Sequence, residues 1–270
     1  MKEKEKIRKK IRDLLPYGKW RIYEAMNYTP LAGGKHLRAM IILRGAKDLG
    51  ISDEIATDVA AAVELFHSGT LIHDDMPEID NASTRRGQPA LHKVYGEGAA
   101  LLAGDGLFFL SFKIMSKYPK LFKEFTEAAY DVLIGEAMDV ELEELDNFSE
   151  NDIYEMYEKK TGALFGFAFS APAIFVDNGK WEALKKTGRR FGLAFQTFDD
   201  IKDVIGDSKL MGKDTGLDVR KKTLVKILGL EKAQHMAEKI YEEVLEELRR
   251  MEMKNVLRFL EEVKELVRKG

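Results

Sequence analysis

The chain has 270 residues, 45% of them hydrophobic, and a formal net charge of −3. That length and apolar content suit one large domain or two small ones with a sizeable core, and they exclude global disorder. The slight negative charge disfavours a general nucleic-acid binder, and the lack of cysteine removes disulfides, thiolate metal sites and thiol nucleophiles.

The chain opens on Met1-Lys2-Glu3-Lys4-Glu5-Lys6, which is charged throughout. No signal peptide is expected, nor any apolar run of about 18 residues that could cross a membrane. A cytoplasmic protein is the expectation. Scarce Gln and Asn beside many Lys and Glu fit a thermophile. Next, Gly33-Gly34-Lys35-His36-Leu37-Arg38 is expected to open a helix. Adjacent glycines let backbone approach an anion, a helix N-terminus favours negative charge, and Lys35 and Arg38 lie one turn apart. This is not a P-loop, because the earlier glycine is missing and His36 stands where Ser or Thr is needed.

The 53–73 stretch places Ile55, Val59, Ala62, Val63, Phe66 and Thr70 at helical steps. The 97–117, 121–145, 152–176 and 181–206 stretches also read as helices, with Pro172 expected to kink or end the fourth. Leu184, Phe191, Ala194, Phe195 and Phe198 share a side of the fifth. The last 40 or so residues form a charged amphipathic helical region, with Leu245, Leu248, Met251, Val256 and Leu260 inward. Pro and Gly cluster near 28–35, 77–89 and 206–216, read as loops. No convincing alternating strand pattern, repeat or linker interrupts the pattern, so a single all-α domain over 1–270 is the simplest reading.

Two acidic clusters stand beside apolar residues: Asp74-Asp75-Met76-Pro77-Glu78-Ile79-Asp80 and Asp199-Asp200-Ile201-Lys202-Asp203. Carboxylates next to a core are costly unless paired or metal-bound. Asp199 and Asp203 are i,i+4 on a helix and share a face. Asp74 and Asp75 end a helix, and Pro77 disfavours helical geometry at Met76. With Arg85-Arg86 close behind, the two clusters read as two walls of a site for divalent cations and a phosphate ester. Lys160-Thr161 sits in an apolar helical stretch, and Gln196 lies on the inward face of Asp199. Glu64-Leu65-Phe66-His67 matches E-x-x-H, but no second such motif exists, which rules out a di-iron bundle.

These motifs in this order resemble the trans-isoprenyl diphosphate synthase (polyprenyl synthetase) family: G-G-K-x-x-R, the paired aspartate clusters, Arg85-Arg86-Gly87, Lys160-Thr161-Gly162-Ala163-Leu164-Phe165 and Phe195-Gln196-x-x-Asp199-Asp200-x-x-Asp203. The resemblance runs from Gly33 to Thr223. It implies an all-α helical bundle around a deep central cavity, usually a homodimer. It implies a short-chain prenyltransferase that joins isopentenyl diphosphate to an allylic diphosphate. By the same resemblance Asp74, Asp80 and Asp199 bind Mg²⁺, three ions in all with the allylic diphosphate. Asp75, Asp200 and Asp203 support the ions, partly through water. Arg85, Lys160 and Lys213 neutralise the allylic diphosphate, with Thr161 and Gln196 beside it. Lys35, Arg38, His67 and Arg86 hold isopentenyl diphosphate.

The resemblance implies a product tunnel alongside the helix that ends at Asp74, and Gly69 and Thr70, one turn before Asp74, are too small to close it. Geranylgeranyl diphosphate is therefore the expected product, with farnesyl or a longer chain as alternatives. A deeper floor is expected at Phe108, Phe109 or Phe112. Three departures stand out: His36 follows G-G-K where Arg is common, Glu136 stands where Gln is common, and the 212–223 segment is short. A terpene cyclase would not need the Lys35/Arg38/Arg86 set, and a regulatory subunit would commonly lack the aspartates.

Overall fold

The computed structural model describes residues 2–209 and 221–269. Its contacts separate into two compact units, residues 1–46 with 50–122, and residues 47–49 with 123–270. Among the described residues the fold is all-α except for one short hairpin.

In the first unit, α1 (Lys2–Leu14) and α2 (Arg21–Leu31) lead to α3 (Leu37–Asp48) and α4 (Asp53–Asp74). The expected loop near 28–35 is therefore shorter, because α2 continues through Pro30 to Leu31. Ser52 caps α4 by accepting from the Ile55 N–H, which satisfies one orphan donor of the first turn. Val59, Ala62, Val63 and Phe66 are buried as their spacing predicts. The helix α4 packs along α6 (Glu97–Met115) and also meets α1 and α2. Between them, Thr84–Arg85 (β1) pairs with Gln88–Pro89 (β2), followed by α5 (Leu91–Tyr95). Two-residue strands are too short for sequence alternation to reveal.

Both α4 and α6 are long and apolar enough to cross a membrane by length and composition alone. This corrects the expectation that no such apolar segment exists. In α4, 78% of the apolar window is buried within the protein, which is how a core helix reads.

The helix α7 (Pro119–Glu144) runs on into the second unit. The predicted helix over 152–176 is three pieces: α8 (Glu150–Tyr157), a single π-turn (Glu158–Gly162) and α9 (Ala163–Phe175). Ser149 and Asp152 form a reciprocal capping box at the start of α8. Pro172 lies inside α9, near its end, rather than stopping it at once. The long α10 (Trp181–Lys209) covers the predicted 181–206 helix and packs on α9, the π-turn, α12 and α13. A Cβ at Gly192 would lie 2.5 Å from the Cα of Gly162. Only hydrogen at that position lets α10 approach the π-turn so closely. After α11 (Leu224–Leu228), α12 (Leu230–Arg250) and α13 (Lys254–Lys269) close the unit. Leu245, Leu248, Val256 and Leu260 are buried as expected, whereas Met251 caps α12 and is only half-buried.

Candidate active site

The end of α4 places the first acidic cluster. Asp75 caps the helix, and the Asp80 N–H returns to the Asp74 carbonyl at 2.9 Å. That turn brings the two outer carboxylates to one end of α4, both half-buried. The middle residue differs, since Asp75 is 2% exposed. Its Oδ1 accepts from Arg85 Nε at 2.8 Å and also from Arg85 Nη2. Burial lowers the Arg85 pKa, but the bond to Asp75 and the charges of Asp74 and Asp80 raise it overall.

A second set gathers where α3 meets α4. Gly33 and Gly34 have φ of 92° and 154°, a left-handed turn that glycine adopts without strain. The guanidinium of Arg86 lies 3.0 Å from where a Gly34 Cβ would be. Lys35 is half-buried in this turn. Arg38 Nη1 lies 3.3 Å from His67 Nε2. Arg38 falls to about 10, first through burial and then through the Arg86 charge. Burial, then Arg38 and Arg86, also holds His67 well below its ordinary value. Burial beside like charge disfavours the charged form of each of these groups.

His36 takes a separate role within this turn. It is buried, and its Nδ1 lies 2.7 Å from Glu64 Oε2. Glu64 Oε1 accepts from the Ala39 N–H. Burial favours the neutral acid, but the His36 bond and the charges of His36 and Arg38 keep Glu64 low. Thus the Glu of the E-x-x-H match anchors the glycine turn, while its His joins Arg38.

Along α4, a Cβ at Gly69 would lie 2.7 Å from the Phe108 ring. Phe108 also packs against Phe66 at 4.9 Å between ring centroids. Phe109 points outward, 74% exposed. Phe112 meets Phe66 and Phe122. The Thr70 hydroxyl donates to the His67 carbonyl at 2.9 Å.

In the second unit the π-turn carries Lys160 and Thr161. Such turns recur at functional sites. A Cβ at Gly135 would fall 2.1 Å from the Lys160 backbone nitrogen, so only glycine lets α7 lie there. That contact delivers Glu136 and Asp139 to Lys160, whose Nζ is 2.9 Å from Glu136 Oε2 and 2.5 Å from Asp139 Oδ2. Thr161 donates to Gln196 Oε1 at 2.8 Å, and Gln196 Nε2 donates to Asp200 Oδ1 at 3.1 Å. Tyr157 donates to the other oxygen of Asp200. Burial pushes Asp200 up to about 7 despite those donors. Asp199 lies half-buried with Lys202 at 3.3 Å, and Asp203 is exposed. Lys213 lies outside the described residues.

Asp75 and Asp200 are both buried, and protein donors occupy Asp75 Oδ1 and both oxygens of Asp200. Sequence reasoning gave no role to Tyr157, Glu136 or Asp139. The signal for the last two was present, since Gly135 followed by two acids on one helix could meet a buried lysine. Among the described residues, no group of three or more His, Asp or Glu stands ready to hold a metal ion alone. Mg²⁺ usually binds one or two carboxylates and completes its shell with water and phosphate. Asp74 and Asp80 in the first unit, and Asp199 in the second, are partly exposed carboxylates of that kind.

A family model described as polyprenyl synthetase matches residues 19–263. A geranyltranstransferase from Thermotoga maritima is similar in structure, with 46% identity and a TM-score of 0.92, covering 100% of this chain and 98% of that one. A farnesyl diphosphate synthase from Haemophilus influenzae is 34% identical over 257 residues, 89% of this chain and 87% of its own length. A geranyltransferase from Helicobacter pylori, complexed with magnesium and isoprenyl diphosphate, is 27% identical with a TM-score of 0.87, covering 100% and 96%.

Proposed function

The chain belongs to the polyprenyl synthetase family and is a trans-prenyltransferase of the farnesyl/geranylgeranyl diphosphate synthase type, and we propose that it joins isopentenyl diphosphate head-to-tail to an allylic diphosphate in a Mg²⁺-dependent, ionisation-first reaction. One observation carries this reading: Arg38, His67 and Arg86 crowd together around the Gly33–Gly34 turn with depressed pKa values. A diphosphate is the ligand that relieves such crowding. Lys35, Arg38, His67 and Arg86 bind isopentenyl diphosphate. Arg85, Lys160 and Lys213 bind the allylic diphosphate, with Thr161 and Gln196 beside it.

Asp74, Asp80 and Asp199 would hold Mg²⁺, three ions with the substrate, and Asp203 would assist. When bound, the metal neutralises charge building on the departing pyrophosphate. Lys160 and Arg85 add fixed positive charge at the same oxygens. The allylic C–O bond breaks and its electron pair leaves with pyrophosphate. The isopentenyl double bond then attacks the allylic carbon. A proton is lost, with the released pyrophosphate as the base. Thr161 and Gln196 offer oxygen dipoles to the cation.

Residues 1–270 act as one synthase domain in the cytoplasm, as a homodimer. The dimer reading has support in Leu101, Leu102 and Phe109 of α6, which are large, apolar and exposed.

Geranylgeranyl diphosphate is the proposed product, because Gly69 and Thr70 leave the α4 side of the tunnel without a large residue. Farnesyl diphosphate is the second reading. It is favoured by Phe108, whose ring already occupies the space beside Gly69. Incubating the enzyme with Mg²⁺, excess isopentenyl diphosphate and each allylic primer tests both, with chromatography of the dephosphorylated products. No condensation with any primer would refute the reaction. A C20 product supports the open reading; a C15 product that lengthens in Phe108→Ala makes Phe108 the floor.

A further inference from the structure

The Tyr157 hydroxyl joins three elements of the second unit. Tyr157 ends α8 and is 2% exposed, packed with Leu142, Ile153, Met156 and Leu224. The ring alone would fill that space. A buried hydroxyl is costly unless it is bonded, and this one is bonded on both sides. It donates to Asp200 Oδ2 on α10 and accepts from the Leu224 N–H, the first residue of α11, at 3.3 Å. The other Asp200 oxygen accepts from Gln196, which in turn accepts from Thr161 in the π-turn. A single run of hydrogen bonds thus connects α11, α8, α10 and the π-turn, and it passes through the residue beside Asp199.

We propose that Tyr157 is a positioning residue for prenyl transfer, fixing Asp200 so that Asp199, Gln196 and Thr161 keep the geometry the reaction needs. This rests on the proposed function above. Tyr157 touches neither substrate nor metal in this assignment. It acts through Asp200. Without the hydroxyl, Asp200 keeps one donor and the buried Leu224 amide loses its partner. The α10 backbone at 199–200 is then free to shift. Misplacement by about 1 Å costs on the order of a hundredfold in rate.

Tyr157→Phe keeps the ring and removes only the hydroxyl. A lost hydrogen bond to a charged group predicts a fall in kcat of about ten- to hundredfold. KM for isopentenyl diphosphate should stay unchanged, and the Mg²⁺ concentration for half-activation should rise. Asp200→Asn in the Tyr157→Phe background should add little, because both act through one contact. A variant with lowered Tm but normal kcat and Mg²⁺ midpoint would show packing alone and overturn the proposal. Calorimetric titration of Mg²⁺ with inorganic pyrophosphate reads the same geometry without turnover. Weaker Mg²⁺–pyrophosphate binding in Tyr157→Phe supports positioning even for a chain that condenses nothing, and unchanged binding overturns it. Should the variant fail to fold, hydrogen exchange at the Leu224 amide of the natural chain decides. Slower exchange with Mg²⁺ and pyrophosphate supports the link, and no change refutes it.

Discussion

The two aspartate clusters share a layout and differ in how it is held. In each, the second aspartate is buried, Asp75 at 2% and Asp200 at 8%, while Asp74, Asp80, Asp199 and Asp203 are more open. Asp75 is held by a guanidinium, that of Arg85. Asp200 is held by neutral donors, a phenol and an amide. The first anchor is an ion pair that balances its own charge. The second bonds a buried carboxyl to a phenol and an amide, and burial pushes its pKa up to about 7. Within each acidic motif, one residue anchors the structure and its neighbours stay more open. Anchors of different charge type can do that same work.

The largest break in this comparison should come from an outward aspartate. Asp199→Ala removes a proposed metal ligand and a 3.3 Å pair with Lys202 whose carboxylate is half exposed, which adds little stability. Alanine is also the better helix former. Turnover should fall by about a hundredfold or more, the scale of losing one transition-state contact, while the metal-free Tm holds or rises slightly. Near-normal turnover would end the assignment of Asp199 to the metal.

Next come the inward aspartates. Asp75→Asn keeps an oxygen for Arg85 but removes the negative charge bonded to a partly buried cation, leaving it only the charges of Asp74 and Asp80, and should cost about 2 kcal/mol. Asp200→Asn keeps an oxygen for one of its neutral donors and should cost about 1 kcal/mol. Chemical denaturation of the metal-free variants compares them directly. Equal losses would mean that the charge type of the anchor does not matter.

Much of this was legible in the sequence. The helices of 53–73 and 181–206 follow from apolar period, and the end of α4 from Pro77. The residues of the glycine turn and both acidic clusters follow from chemistry at fixed spacing. The π-turn was not legible, because one inserted residue in a helical run leaves the apolar pattern almost intact. Nor was the inward turn of Asp75 and Asp200. In a run of adjacent carboxylates, sequence shows charge but not which member faces the core. The partner of His36 was hidden for a related reason. The place of this histidine after Lys35 marks a departure from the family pattern but does not show that, at a φ of 53°, it meets Glu64.

The smallest effects should separate the two cationic sets. Arg38 lies among other cations, with Glu64 as a buried counter-charge, while Lys160 sits between two carboxylates, Glu136 and Asp139. Arg38→Ala should raise KM chiefly for isopentenyl diphosphate, and Lys160→Ala chiefly for the allylic substrate, each by about tenfold or more. If both weakened only the allylic substrate, the assignment of Arg38 would be wrong. Glu136→Gln is the finer probe. A diphosphate that reaches Lys160 must compete with both carboxylates for the same ammonium protons. Gln keeps the shape and the oxygen but removes one negative charge. A partly buried ion pair of this kind is worth about 1 kcal/mol, so the allylic KM should fall about two- to fivefold, with isopentenyl diphosphate unaffected. Pyrophosphate should inhibit the variant more strongly by a similar factor, because it meets the same lysine. A rise in the allylic KM would reverse the reading: Glu136 would then be holding Lys160 in place for the substrate rather than competing with it.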